Sequence, residues 1–286
     1  NNQLKPELNE SIGDLIRKMN CYYSNLIEDH YTHLIDIEKA LHNDYSNISE
    51  KRDLQLEAKA HIEVQKLIES KFEADILSSE YIKWIHKEFY KRLPDELQQV
   101  EDLDKNEVRR IIPGEFRKSH VKIGKHIPPD PNDLNDFLER FKTGYCLDKY
   151  SIVKQIICVP ASHQRFSWIH PFYDGNGRVV RLLSHALFLK IGIGSSLWSI
   201  SRGLARTSND YKRLLAQADM PRQGSLDGRG NLSNKGLTEF CKYFLLQCID
   251  QVEFMTSLLE PDTLLDRIEK HIEAEVRKKN LNKGSF

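Results

Sequence analysis

Residues 170–181 read HPFYDGNGRVVR and bring an imidazole, a carboxylate, two glycines around an amide, and two guanidiniums into one short segment. Gly175 and Gly177 free the backbone for left-handed or tight-turn conformations, so that successive N–H groups can converge on an anion. The apolar run that follows starts a helix, whose N-terminus adds unpaired donors and the positive end of its dipole, a combination suited to phosphate. Arg178 and Arg181 share one face of its first turn, where their forks can grip further phosphate oxygens. Asp174 is a hard carboxylate of the kind that holds Mg²⁺ against a polyphosphate. His170 titrates near neutral pH and can take a proton from a hydroxyl. The segment therefore spells phosphoryl or nucleotidyl transfer. Calcium does not fit, because Arg178 and Val179 stand at the fifth and sixth positions of an EF-hand counted from Asp174. A plain Asp-Gly or Asn-Gly hairpin turn is the other reading of DGNG, and the flanking His170, Arg178 and Arg181 weigh against it. No Walker A sequence and no strand-linked G-x-G-x-x-G occurs.

The elements that must position this segment are mostly helical. Leu8, Ile12, Leu15, Met19, Tyr22 and Leu26 step by threes and fours, which predicts an amphipathic N-terminal helix with this stripe packed inward. Helical patterns follow over 34–41, 50–72, 79–93, 132–142 and 149–163, then after the motif over 208–218, 235–259 and 262–279. Ser233 or Asn234 is placed to cap the helix that starts at Lys235. Strand character is confined to 113–131, where Val121 and Ile123 alternate with Lys122 between Pro-Gly and Pro-Pro breakers, the pattern of a short hairpin. The expected fold is all-α with one β-hairpin.

Composition sets the outer limits. The 286 residues carry 42 basic and 42 acidic side chains, so no net field draws the chain to nucleic acid or to an anionic membrane. Hydrophobic residues at 40% and charged ones at 29% describe a folded globular chain, not a disordered one. No uncharged run is long enough for a membrane span, and the first residues lack the layout of a signal peptide. Five scattered cysteines without a C-x-x-C pair read as reduced thiols, which predicts a cytoplasmic protein, and the eleven histidines form no metal pattern. The basic end at Arg277, Lys278 and Lys279 reads as a solvated helix terminus.

The motif resembles the signature of the Fic (filamentation induced by cAMP) family, H-x-F-x-[D/E]-G-N-G-R-x-x-R, and matches it at His170, Phe172, Asp174, Gly175, Asn176, Gly177, Arg178 and Arg181. The looser likeness runs from about Ile76 to Leu215. It implies a helical Fic bundle with a β-hairpin flap, and an enzyme that transfers AMP from ATP to a Tyr, Ser or Thr hydroxyl of a protein. His170 would be the base, and Asp174 would hold Mg²⁺. Asn176 with the Gly175 and Gly177 amides would cradle the α-phosphate, Arg178 and Arg181 would take the outer phosphates, and Phe172 would anchor the loop. Ile123, Gly124, Lys125 and His126 look like the family's flap, which offers backbone to an extended target segment. Tyr211 resembles a position beside the adenine, with a core tyrosine as the alternative.

Ser24 and Glu28 resemble the S/T-x-x-x-E pattern of the family's inhibitory helix. The next position is usually Gly or Asn in the family, and here it is Asp29, which tolerates the left-handed conformation less well than Gly. The resemblance implies that Glu28 pairs with Arg181 and denies it to the γ-phosphate. It divides the chain into an N-terminal region, 1–75, carrying the inhibitory helix, a catalytic core, 76–220, and C-terminal helices, 221–286, packing on the core. Self-modification and a homodimer are further expectations. Two other functions stay open: removal of AMP from a modified protein with Glu28 as water-activating base, and a nucleotide-binding module without transfer.

Overall fold

The periodic segments fold as helices almost where their spacing places them. A computed structural model of the chain describes residues 6–71, 75–102, 107–194 and 197–278. Its helices are α1 (Pro6–Ile27), α2 (Leu34–Leu41), α3 (Ser49–Ser70), α4 (Ser79–Tyr90), α5 (Leu134–Gly144), α6 (Ile152–Ile169), α7 (Asn176–Lys190), α8 (Ile200–Arg206), α9 (Ser208–Ala218), α10 (Asn234–Leu259) and α11 (Pro261–Arg277). Of the two candidate caps for α10, Ser233 does the work, its hydroxyl accepting from the Gly236 N–H at 3.0 Å. Ser78 caps α4 in the same way through the Tyr81 N–H, at 3.1 Å. The short α8 was too brief for a periodic signal and is started by Ser199, whose hydroxyl accepts from the Ser201 N–H. Phe72 and Lys279, the expected ends of α3 and α11, lie outside the described residues.

Among the described residues the one sheet is a two-stranded antiparallel pair, β1 (Gln99–Asp102) with β2 (Glu107–Arg110). It lies upstream of the Val121/Ile123 alternation that was expected to supply it. Residues 113–131 instead form an irregular strap with a single bridge, Ile123 to His126, closed by two backbone hydrogen bonds of 2.9 and 3.0 Å around Gly124 at φ +59°. Pro113, Pro128 and Pro129 remove donors on both sides of that turn, so a ladder cannot extend from it.

The helices close around one apolar cluster that runs from Ile16 of α1 to Met255 of α10. α6 and α7 pack on each other with the 170–175 loop between them, α10 lies against α6, α8 and α9, and α3 and α4 cover α7. Phe166, Phe172, Leu182, Leu187 and Phe244 fill the centre, each buried ring or branch contributing about 1.5–3 kcal/mol against exposure. A small satellite of Cys21, Ile37, Ala58 and Ile62 joins α1, α2 and α3.

α1 is rotated from the orientation expected from its apolar stripe, although Ile12 and Met19 still touch the core. Leu15 is 53% exposed, and Ile12, Met19, Tyr22 and Leu26 are half-buried. The inward face is Ile16, Arg17, Asn20, Cys21, Ser24, Asn25 and Ile27. Its partners explain the preference: Arg17 pairs with Glu69 at 2.8 Å, Asn20 bonds Gln65 at 2.6 Å, and Ser24 meets Arg181. A helix laid over a charged interior must bring polar groups to it, because an unpaired buried charge costs several kcal/mol.

Burial holds His61 and His163 neutral down to a pKa of about 3, and His86 and His170 down to about 4. Groups whose folded pKa is depressed bind fewer protons in the native than in the unfolded state, so their stabilisation is present above about pH 6.5 and fades as pH falls toward 4. Denaturant melts between pH 7 and 4.5 are expected to show stability falling by up to about 1.4 kcal/mol per pH unit for each such histidine. A flat profile over that range would contradict the buried, neutral assignment.

Candidate active site

The loop between α6 and α7 owes its shape to four local devices. His170 ends α6 in the left-handed conformation, φ +49° and ψ +61°, with its N–H donated to the Phe166 carbonyl. Phe172 is fully buried and stacks on His86, centroids 3.9 Å apart. Asn176 brackets the Phe172 backbone, its Oδ1 accepting from the N–H at 3.0 Å and its Nδ2 donating to the carbonyl at 2.9 Å. Gly175 turns the chain into α7 at φ +76°, where a Cβ would also lie 2.9 Å from the Tyr90 ring. The Asn176 carboxamide is therefore spent on the loop itself, which leaves the backbone N–H groups at the start of α7 to meet an anion.

Asp174 sits exposed at the mouth of the site and accepts from the Tyr90 hydroxyl at 2.6 Å. Desolvation pushes its carboxyl up, but the Arg178 guanidinium, the Tyr90 hydroxyl and the Gly175 N–H together hold it below the ordinary range. Burial is also the main cause at His170, opposed by a hydrogen bond to the Ser167 backbone, and the imidazole is neutral at physiological pH. Arg181 is 3% exposed. Its Nε donates to Ser24 Oγ at 2.9 Å, and its Nη2 to the Ser24 carbonyl at 3.2 Å and to Glu28 Oε1 at 2.6 Å. Desolvation would raise the Glu28 carboxyl, and the Arg181 and Arg178 charges outweigh it, so Glu28 is held ionised. Its carboxylate lies over the first turn of α7: a Cβ added at Gly177 would run into Glu28 Oε1.

Glu28 reaches this place because α1 ends there in a full left-handed cap. The His30 N–H donates to the Asn25 carbonyl at 3.0 Å and the Asp29 N–H to the Leu26 carbonyl at 3.2 Å, with Asp29 at φ +60°. Asp29 bears both left-handed strain and a negative charge at the wrong end of the helix dipole, while its pair with Lys212, 3.5 Å away and well exposed, returns little. Asp29→Gly is expected to raise stability by about 0.5–1 kcal/mol, or roughly 1–2 °C in Tm. A lower Tm would show that the Lys212 contact outweighs the backbone.

Several participants carry no sequence signal. Glu57 of α3 accepts from Arg178 at 3.1 Å and bonds His30 at 2.7 Å, and Arg178 also lies over the Phe89 ring. Arg117 is buried and ties the strap to the loop, its Nε donating to the His170 carbonyl at 2.9 Å and its Nη2 to the Pro129 carbonyl at 2.6 Å. Within the strap, Gly124 and Lys125 are exposed, Ile123 is 40% exposed, and His126 Nε2 bonds the Trp168 carbonyl at 2.8 Å. The strap edge is thus open and fixed next to His170. Tyr211, expected beside the adenine or in the core, is buried, and its hydroxyl is bonded at 2.8 Å to His163, which in turn bonds Ser184.

The Fic/DOC family pattern matches residues 76–188, which hold the strap, the loop and most of α7. The chain carries a Fic/DOC family domain. Proteins named protein adenylyltransferase Fic are similar to it, at 32% identity over 114 residues in Drosophila virilis and 31% in Drosophila melanogaster. Each match spans 39% of this chain and about a quarter of the relative, 24% and 23%. The fold is shared with a Fic family protein from Desulfovibrio desulfuricans G20 (TM-score 0.66, 18% identity, 90% of this chain and 68% of that one). A Fic domain containing signaling protein from Bacteroides thetaiotaomicron gives a TM-score of 0.64 at 19% identity, over 90% of both chains. Among the described residues no helix is long and apolar enough to cross a membrane.

Proposed function

We propose that this protein transfers AMP from ATP to a Tyr, Ser or Thr hydroxyl of a target protein, and that Glu28 restrains it. The observation that carries the reading is the cradle itself: the free N-terminus of α7, flanked by an ionised Asp174 on one side and a neutral His170 on the other. The names of the similar Drosophila proteins support it. A neutral imidazole can accept the proton of the incoming hydroxyl, whose oxygen then attacks the α-phosphorus as pyrophosphate leaves. The N–H groups of α7 take the charge that develops on the phosphate oxygens. The strap edge at Ile123 to His126 offers main-chain pairing to an extended target segment beside that base.

Asp174 fits Mg²⁺, which binds through one or two carboxylates together with substrate phosphates and its own waters. One oxygen of Asp174 is held by Tyr90, and the exposed carboxylate is kept ionised. A magnesium ion there would neutralise phosphate charge. Among the described residues no cluster of three His, Cys, Asp or Glu side chains that could hold a metal ion occurs.

Restraint follows from the place of Glu28. Its carboxylate occupies the ground in front of Arg181 and Gly177 that an outer phosphate needs, and like charges exclude each other there. The same position supports a second reading, in which Glu28, once Arg181 turns to a phosphate, activates water to release AMP from a modified protein. A cytoplasmic location, self-modification and a homodimer belong to the same proposal. Incubation with α-labelled ATP and Mg²⁺, followed by intact mass of the chain and of added acceptor proteins, tests the transfer. Covalent addition of AMP supports it, and removal of label from a pre-modified acceptor supports the second reading. ATP binding with neither would leave a nucleotide-binding module.

A further inference from the structure

A second cavity, of about 540 Å³, opens between α5, the end of α6 and the loop that leads into α10. None of its lining comes from residues 170–181, and its volume is that of an ordinary small-molecule site. One side is aromatic: Phe137 and Phe141 of α5 face Trp168 of α6, with Phe137 and Trp168 meeting edge to face at 5.4 Å. The other side is cationic, formed by Arg140, Arg165 and Arg229. Among the described residues none of the three is in an ion pair, and Arg165 Nη1 is buried without a hydrogen-bond partner. Asp219, whose field reaches Arg165, accepts from Gln164 at 2.7 Å. A buried guanidinium N–H left without an acceptor is costly, and three cations drawn to one apolar hollow repel one another. Both costs are relieved by one kind of occupant.

We infer that this cavity binds a carboxylate or phosphate carried on a planar or apolar body, the ring lying among Phe137, Phe141 and Trp168 and the anion among the three arginines. Guanidinium forks match such oxygens, and aromatic faces take the body. The cavity adjoins the catalytic loop: Trp168 stands two positions before His170, and its carbonyl is bonded to His126 of the strap. The anion is therefore supplied by a side chain of the target flanking the modified hydroxyl, or by a free small molecule. The first source rests on the proposed transfer activity, and binding itself does not.

The probe is phenyl phosphate, with benzyl alcohol as its neutral counterpart, titrated into the whole chain by calorimetry and followed by tryptophan emission. Saturable binding of phenyl phosphate is expected that ATP does not displace, that salt weakens, and that falls about tenfold or more in the Arg140→Ala/Arg229→Ala variant. Both arginines are exposed and unpaired among the described residues, so this variant should melt with the wild type, and Arg165→Met extends the series. Benzyl alcohol should bind far more weakly. Absence of binding, indifference to the arginine substitutions, or displacement by ATP overturns the inference.

A second arm separates the sources, using threonine peptides with randomised flanks and Glu28→Gly protein. Preference for an acidic residue at a fixed distance from the threonine, lost in the double arginine variant, assigns the cavity to the target. Uniform transfer that phenyl phosphate does not inhibit assigns it to a free ligand. Failure of all transfer would count against the adenylyltransferase reading and would leave the binding arm intact.

Discussion

Glu28→Gly is expected to raise AMP transfer by a factor of about 10 to 10², because it removes a charge-assisted hydrogen bond of about 1.5–3 kcal/mol that ATP must otherwise displace from Arg181. The gain arises in the productive pose of the triphosphate. With Glu28 gone, the Arg181 guanidinium keeps its two bonds to Ser24 and presents its remaining N–H groups to the γ-phosphate. Stability of the nucleotide-free protein should fall by about 1.5–3 kcal/mol, since the buried Arg181 loses its carboxylate partner while keeping its bonds to Ser24. Glu28→Gln separates charge from shape and should fall between wild type and Glu28→Gly. The measurement is the initial rate of label transfer from α-labelled ATP at saturating nucleotide, beside ATP affinity by calorimetry. Equal rates in wild type and Glu28→Gly, with ATP bound in both, would remove Glu28 from any regulatory role.

In the Glu28→Gly background, loss of the His170 imidazole is expected to lower transfer by about 10²–10⁴ while ATP affinity stays within about threefold, because in the proposed reaction His170 acts on the hydroxyl and not on the phosphates. The backbone complicates the obvious variant. His170 has φ +49°, and alanine in a left-handed conformation costs about 1–2 kcal/mol, so His170→Ala would weaken the loop as well as remove the base. Asn adopts that conformation readily, and His170→Asn isolates the chemistry. Burial pushes the imidazole down to about 4, so it remains a free base well below ordinary histidine pH values. The acid limb of kcat/KM should therefore lie below pH 5, not near 6.5. Full activity of His170→Asn, or an acid limb at the ordinary histidine value, would exclude His170 as the general base.

Local patterns account for much of this molecule. The 170–181 segment contains its own geometry: a glycine that can turn left-handed, an asparagine within reach of the backbone four residues back, and a helix that must start once the turn is made. The ranges of α2 and α9 follow from period alone, and Ser24 and Glu28 lie one helical turn apart whatever surrounds them. These are short-range consequences of backbone stereochemistry, so the amino-acid sequence by itself determined the loop that opens α7, the histidine that precedes it and the helical class of the fold.

Other features depend on which surfaces meet. Tyr90 reaches Asp174 across 84 residues of chain, Glu57 reaches Arg178 across 121, and Arg117 reaches the His170 carbonyl across 53, and no periodicity encodes such distances. The inward face of α1 was likewise decided by its neighbours: its apolar stripe predicts one rotation, and the buried Arg181 and the half-buried Glu69 impose another. Tyr211 is drawn into the core by His163, and the strap is kept from forming a ladder by its prolines and by the arginine that holds it to the catalytic loop. Tertiary structure decided these because a buried charge or donor must find a partner wherever the packed helices supply one, and that requirement outweighs the weaker preference of any single helix face.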